Sequence, residues 1–182
     1  MGALMYQGVL HFWFESLKPA EWWQKDKALD TDIGRRFGLL HTQACKGELF
    51  EWRAQALGRL AEIIVLDQFS RNIYRGRAEA FAADGMALAL AQEAISGGAE
   101  RELTPYQRLF LYMPFMHSES LKVHDQGMPL FERLGLADSL DFEYRHRDII
   151  ARFGRYPHRN AILGRPSTPE ELAFLTQPGS GF

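Results

Sequence analysis

The stretch 145–165 carries the side chains of this chain that are best suited to binding an anion. It contains six arginines against one acidic residue, Asp148, so its formal charge is +5, whereas the whole chain carries −2. A guanidinium group binds carboxylate or phosphate in a bidentate geometry, and a concentrated positive charge attracts anions. The stretch therefore predicts a small phosphate or carboxylate ligand held by Arg155, Arg159 and Arg165. The alternative is that these arginines pair with acidic residues of neighbouring helices.

Histidines in and near the same stretch supply groups for acid–base chemistry. His146 falls on one helical stripe with Phe142, Ile149 and Phe153, so its imidazole is expected to point inward among apolar neighbours. Burial would lower its pKa and keep it neutral, which is typical of a hydrogen-bonded core histidine. The candidate catalytic residues are two acids and three histidines: Asp67, Glu119, His117, His146 and His158.

Asp67 continues the apolar stripe of Leu60, Ile63 and Ile64, which predicts a buried carboxylate that needs a hydrogen-bond donor. Arg71, four residues later, is the nearest candidate donor. A structural salt bridge between these two side chains is the simpler interpretation, and catalysis by Asp67 is the alternative. Arg71 is also expected to bind the anionic ligand, and Gln68, Asn72 and Asn160 are expected to orient it.

The motifs of several common active sites do not occur in the sequence. No Gly-x-Ser-x-Gly elbow surrounds Ser118, and no His-Glu-x-x-His pair is present, so neither a serine nucleophile nor a metal site is predicted. No cofactor is predicted. The slightly negative net charge and the lack of a recognised motif argue against nucleic acid as a partner.

Helices must position these residues, because the apolar pattern is helical almost throughout the chain. Residues 48–69 are predicted to form the longest helix, and 70–76 to form a break after it. Pro114 is expected to break or kink the helix that begins after Thr104. The aromatic residues expected in the core are Phe12, Trp13, Phe14, Trp22, Trp23 and Trp52.

The chain is predicted to be one all-α domain over residues 1–182, with about seven to nine helices joined by short connections. The Gly- and Pro-containing stretch 154–166 is expected to be an irregular loop, and 178–182 a mobile tail. Cys45 is the only cysteine, and neither a signal peptide nor a membrane span is recognisable. These features predict a cytoplasmic protein that does not bind membranes.

Long blocks of sequence, in a fixed order, carry a family resemblance. They read FWF at 12–14, LDQFSRNIYRG at 66–76, MPFMHSE at 113–119, RFGRYPHRN at 152–160 and STPEE at 167–171. Over nearly the whole chain these blocks resemble the bacterial domain-of-unknown-function family 924. Ser70 departs from the proline of the family's pattern, and the stretch 120–126 is longer than usual.

The resemblance implies an all-helical fold similar to tetratricopeptide-like superhelices, and it implies no activity. The blocks largely coincide with the segments that the charge and stripe arguments single out, so we expect ten residues to converge on one pocket: Asp67, Arg71, Asn72, His117, Glu119, His146, Arg155, His158, Arg159 and Asn160. One hypothesis is that this pocket binds a small anionic ligand and performs hydrolase or transferase chemistry. The other is a scaffold that binds a protein or peptide, in which the same residues form a structural polar network.

Overall fold

Helices build the fold throughout residues 2–181, the part of the chain that this computed structural model describes, and no strand occurs in that range. The prediction of an all-α fold is confirmed, whereas the tetratricopeptide-like superhelix stays a prediction. No described helix is long and apolar enough to cross a membrane. The α-helices are α1 (Gly2–His11), α2 (Lys27–Cys45), α3 (Ala56–Ile64), α4 (Ser70–Ile73), α5 (Asp84–Ser96), α6 (Pro105–Met116), α7 (Leu121–Leu134), α8 (Ala137–Phe153) and α9 (Pro169–Leu175).

The chain divides into two compact units. The N-terminal unit comprises the residues up to Arg75 together with Glu79–Pro114. The C-terminal unit comprises Gly76–Ala78 and the residues from Phe115 onward. The prediction of a single domain over 1–182 stays a prediction.

The core of the N-terminal unit forms around α3 and the π-helical turn Val65–Phe69 that follows it. Every residue of this turn is buried. The ring of Phe69 packs against the rings of Phe12, Trp13 and Phe37, with centroid distances of 4.9–6.2 Å. Burial of this much apolar surface is the main favourable contribution to folding of the unit. Trp23 departs from the predicted core, because its ring lies 56% exposed at the end of the short 3₁₀ helix Pro19–Trp23.

The predicted longest helix at 48–69 is wrong, because three shorter elements replace it. A 3₁₀ helix at Phe50–Ala54 is followed by the extended residue Gln55, then by α3 and the π-helical turn. The chain folds back so closely here that a Cβ on Gly58 would lie 2.1 Å from the carbonyl oxygen of Trp52. The longest helix is α2, with 19 residues.

The structure differs in detail from two expectations about helix ends. Pro114 lies inside α6, which continues to Met116. A proline in a helix removes one backbone hydrogen bond, but the neighbours Met113 and Phe115 are buried, and their packing offsets that loss. At 70–76, the first four residues form α4, and residues 74–76 form a turn in which Gly76 has a φ of +78°.

Two glycines with open space around them should respond oppositely to alanine. A Cβ added to Gly34 in α2 or to Gly135 after α7 would meet no atom within 4 Å beyond its own stretch of chain. Gly34 is helical, so Gly34→Ala should stabilise the protein by roughly 0.5–1 kcal/mol. Gly135 has φ +75°, so Gly135→Ala should destabilise it by about 1 kcal/mol. Urea denaturation of the two variants tests both signs, and equal effects would contradict the backbone argument.

The C-terminal unit packs its helices around a small buried core. Ile149, Ile150 and Tyr156 form this core, and Phe153 and Phe174 pack against it. The predicted capping box opens α9, because Thr168 Oγ1 accepts from the amide of Glu171 and the Glu171 carboxylate accepts from the amide of Thr168. The expected loop at 154–166 includes one 3₁₀ turn at Pro157–Arg159.

Candidate functional site

In the N-terminal unit, Asp67 is 1% exposed and lies on the π-helical turn at the end of the buried stripe. Its oxygens accept hydrogen bonds from Gln68 Nε2 at 2.7 Å and from Arg71 Nη1 at 3.2 Å. Arg71 also donates to both oxygens of Asp84, at 2.9 and 3.0 Å. Arg71 therefore donates to Asp67, as the four-residue spacing predicts. It also bridges the carboxylates of Asp67 and Asp84.

Asn72, which is predicted to orient a ligand, connects α4 to α2. Its Nδ2 donates to Asp30 Oδ1 at 2.8 Å. Arg75 donates to both oxygens of the same carboxylate, at 2.5 and 2.7 Å. The polar residues of this motif block thus satisfy one another within the unit, as buried polar groups must.

In the C-terminal unit, Glu171 collects the polar groups of the loop before α9. It is 2% exposed and accepts from Arg155 Nε and Nη2 at 2.7 and 2.8 Å. It also accepts from Asn160 Nδ2 at 3.2 Å and from the Thr168 amide. Hydrogen bonds from Arg155 and the Thr168 amide lower the pKa of Glu171 to about 2. We call Arg155, Asn160, Thr168 and Glu171 the Glu171 cluster.

A second carboxylate, Glu119, closes the other side of the same loop. Arg165 donates to both of its oxygens, at 2.7 and 2.9 Å, and the Tyr156 amide donates to Oε1 at 2.7 Å. Burial alone would raise the pKa of Glu119, but these hydrogen bonds bring it below its ordinary value. Asn160 Oδ1 accepts from Arg165 Nε, so the two groups of contacts form one network.

The other arginines of 145–165 also have partners within the C-terminal unit. Arg159 donates to the carbonyl oxygen of His117, and its guanidinium lies 4.6 Å from the ring centroid of Tyr156. The remaining three form ion pairs, namely Arg145 with Asp141, Arg147 with Asp125 and Arg152 with Glu170. Five arginines therefore pair with nearby acidic residues, which is the alternative to binding a ligand. They are Arg145, Arg147, Arg152, Arg155 and Arg165.

Tyr156 is the centre of a cluster of imidazole rings. Its ring is fully buried, and the ring centroids of His124, His146 and His158 lie 6.4, 5.7 and 5.6 Å away. The Tyr156 hydroxyl donates to the carbonyl oxygen of Met116 at 2.5 Å. We call Tyr156 and these three histidines the histidine cluster.

His146 faces inward, as its stripe predicts. It is buried, and its Nδ1 donates to the carbonyl oxygen of Phe142 at 2.7 Å. Burial lowers the pKa of His146 to about 3, and the charges of His117, His124 and His158 act in the same direction. A histidine with this pKa is neutral near pH 7 and is a poor proton donor there.

Sequence reasoning missed two members of the polar core, His124 and Glu143. Both are fully buried, and His124 Nδ1 lies 2.7 Å from Glu143 Oε1. Burial raises the pKa of Glu143, although the hydrogen bond with His124 acts in the opposite direction. The helical stripe that His124 shares with Gly127 and Phe131 indicates that His124 is buried, but it does not indicate Glu143 as its partner.

A third polar group, in the N-terminal unit, is not arranged for nucleophilic chemistry. Ser70 Oγ donates its hydrogen to the carbonyl oxygen of Leu66 at 2.6 Å. In the 2.7 Å contact between Ser70 Oγ and His41 Nε2, the serine oxygen is therefore the acceptor and the imidazole N–H is the donor. A serine nucleophile needs the opposite arrangement, with histidine as the base. Burial raises the pKa of the nearby Cys45 thiol, which disfavours the reactive thiolate.

Two further observations concern ligands. Among residues 2–181, no group of three or more His, Cys, Asp or Glu side chains is placed to hold a metal ion. An open depression on α2 is lined by Lys27, Ala28, Thr31, Asp32 and Arg35. None of these is a predicted site residue. The predicted convergence of the two motif regions on one pocket, and the catalytic and binding roles assigned to its residues, stay predictions.

Comparison with known proteins places these clusters in a family context. The profile of DUF924, "Bacterial protein of unknown function", matches residues 9–179. A solved structure, "Structure of Protein of Unknown Function ATU0120 from Agrobacterium tumefaciens", is 38% identical, covers 96% of this chain and 98% of that chain, and has a TM-score of 0.92. No curated protein matches the chain. Because the profile spans nearly all of the sequence, the chain belongs to the bacterial protein family DUF924.

Proposed function

We propose that this protein is a scaffold that binds a protein or peptide, and that its motif residues form structural polar networks. The observation that carries the proposal is the pairing of five of the six arginines of 145–165 with carboxylates of their own unit. A bidentate arginine–carboxylate contact fixes both groups in space. These contacts hold the loop at 154–166 against α9 and against the segment that contains Glu119.

An external anion would have to compete with a carboxylate that the fold keeps in contact. Glu171 stays beside Arg155 because the backbone of Thr168 and the side chain of Asn160 hold it there as well. The effective concentration of a tethered partner exceeds that of most free metabolites. The anion hypothesis therefore has little support at Arg155 and Arg165, and it rests chiefly on Arg159.

The hydrolase or transferase hypothesis needs a group that exchanges protons near neutral pH. Glu119 accepts hydrogen bonds on both oxygens and has a lowered pKa, so it is a weak general acid or base at pH 7. His146 is held neutral by burial. Acid–base roles for Asp67, His117 and His158 remain as predictions, and these are the residues on which that hypothesis depends.

The scaffold hypothesis requires apolar groups at the surface that a partner can cover. Aromatic rings are enriched at the centres of binding surfaces, since they bury much area at a small entropic cost. This chain exposes large aromatic side chains at Trp23, Phe50, Tyr106, Phe142 and Tyr144.

Two assays on the same preparation test the proposal. Phage display of random peptides should enrich binders, and the melting temperature should not rise with phosphate, citrate or a panel of phosphorylated metabolites beyond a sodium chloride control of equal ionic strength. Failure to enrich any peptide would argue against the scaffold. A metabolite that raises the melting temperature of the wild type but not of Arg159→Gln would establish the anion-binding function instead.

A further inference from the structure

We propose that the buried His124–Glu143 pair is a pH-sensitive contact, which joins α7 to α8 as long as the two side chains share one proton. His124 lies on α7 and Glu143 on α8, and both are fully buried within the C-terminal unit. The contact goes beyond the proposed scaffold function and does not depend on what the protein binds. It predicts that the C-terminal unit loses stability in alkali.

Two oxygen atoms determine that Nε2 of His124 carries a hydrogen. The carbonyl oxygen of Ser118 lies 2.9 Å from this nitrogen and can only accept a hydrogen bond. The Tyr156 hydroxyl lies 3.2 Å from it, but the single hydrogen of that hydroxyl is donated to the carbonyl oxygen of Met116 at 2.5 Å. Neither oxygen offers a hydrogen to Nε2, so the ring nitrogen is the donor in both contacts.

The other ring nitrogen requires a second hydrogen. Nδ1 of His124 lies 2.7 Å from Oε1 of Glu143, and without a hydrogen between them the lone pairs of these two atoms would repel each other. That hydrogen belongs either to a protonated carboxyl or to an imidazolium ring beside a carboxylate. In both cases the pair holds one proton more than a neutral imidazole and a carboxylate hold together, and its net charge is zero.

The surroundings of the pair oppose the loss of this proton. Oε2 of Glu143 is buried and has no hydrogen-bond partner among the described residues, so a negative charge on this carboxyl would be poorly compensated. Arg147 attracts Glu143, but it donates to Asp125 Oδ1 at 2.9 and 2.7 Å. The other titratable or charged groups on the neighbouring segments are His117, Glu119, His146, Tyr156, His158 and Arg159.

The shared proton makes the stability of the C-terminal unit depend on pH above neutrality. In an unfolded chain an imidazole has a pKa of about 6.5 and a glutamate carboxyl one of about 4.3, so above pH 7 the separated side chains do not retain the proton. Unfolding then releases one proton, and the equilibrium constant for unfolding should increase about tenfold per pH unit until the folded pair itself deprotonates. The pKa of His146 is about 3 in the folded state, so this residue is neutral throughout that range and does not contribute.

The test is urea denaturation of the full-length protein at pH 7.5 and pH 8.5. In Glu143→Gln the side-chain amide donates to Nδ1 a hydrogen that it cannot lose. Between the two pH values, the equilibrium constant for unfolding should therefore increase about tenfold more in the wild type than in this variant. The matched control is Glu132→Gln, which removes an exposed carboxyl of α7 and should behave like the wild type. Cys45 also titrates in alkali, but all three proteins contain it.

NMR of the ¹⁵N-labelled histidine rings gives a second readout on the wild type alone. At pH 7, Nε2 of His124 should carry a hydrogen, and another should lie between Nδ1 and Oε1 of Glu143. The absence of either hydrogen would overturn the inference, as would the same pH dependence in Glu143→Gln and the wild type. If circular dichroism shows that Glu143→Gln does not fold, the NMR result decides the question by itself.

Discussion

Glu171→Gln should lower the free energy of unfolding by about 2 kcal/mol, measured by urea denaturation at pH 7. The substitution keeps the size of the side chain but removes the charge that Arg155 and Asn160 surround. It also places an amide N–H where the present carboxylate accepts hydrogen bonds. The expected loss is smaller than for a fully buried pair, because the side chain of Arg155 is 28% exposed to water.

The adjacent residue provides a matched control for this prediction. Glu170 pairs with Arg152, but both side chains are at least half exposed. Glu170→Gln should therefore change the free energy of unfolding by less than about 0.5 kcal/mol. If the two substitutions have equal effects, the Glu171 cluster does not have the structural role assigned to it.

Acidification should destabilise the protein through His146. Its pKa is about 3 in the folded state, against an ordinary value of 6.5, so the unfolded chain takes up a proton that the folded chain excludes. The stabilisation from the neutral imidazole is complete above pH 6.5 and is lost as the pH falls below that value. Between pH 7 and pH 5 the expected loss from this residue is about 2 kcal/mol.

Two carboxyl groups of the C-terminal unit modify this pH dependence without reversing it. The pKa of Glu171 is lowered to about 2 in the folded state. Its contribution to stability is therefore lost only as the pH falls from its ordinary pKa of 4.5 toward 2. Glu143 has a raised pKa and acts in the opposite direction, because its folded form binds a proton more readily. Among these three groups, His146 should therefore account for most of the loss of stability at pH 5.

Two variants isolate the contribution of His146. Urea denaturation at pH 7 and pH 5 should show that His146→Leu loses about 2 kcal/mol less than the wild type over this interval. His11 lies exposed beside Glu15, so His11→Leu should retain the pH dependence of the wild type. An unchanged pH dependence in His146→Leu would contradict the buried, neutral state of this imidazole.

Contacts that are local in sequence could be predicted, and those that depend on tertiary packing could not. The Asp67–Arg71 contact follows from a four-residue helical spacing, and the Thr168–Glu171 capping box follows from a known local pattern. The pairing of Glu119 with Arg165 joins residues 46 positions apart, and no spacing rule indicates it. The charge of 145–165 therefore suggested an anion site, because its carboxylate partners come from other segments.

Helix boundaries show the same limit. Pro114 has the local properties of a helix breaker, yet the packing of the residues around it keeps α6 continuous. The stripe of Leu60, Ile63 and Ile64 predicts a helix, but it does not indicate the turn before α3 that the close approach of Gly58 to Trp52 requires. His124 and Glu143 were overlooked because each stands alone in sequence, and only the packing of α7 against α8 brings them together.

A double-mutant cycle on Arg165 and Glu119, carried out with and without inorganic phosphate, tests the central claim most directly. If the guanidinium groups of 145–165 hold carboxylates of their own chain, the coupling energy between Arg165→Gln and Glu119→Gln should be about 1 kcal/mol, and phosphate should not change it. A coupling energy near zero, together with phosphate stabilising the wild type but not Arg165→Gln, would show that these arginines bind a ligand instead.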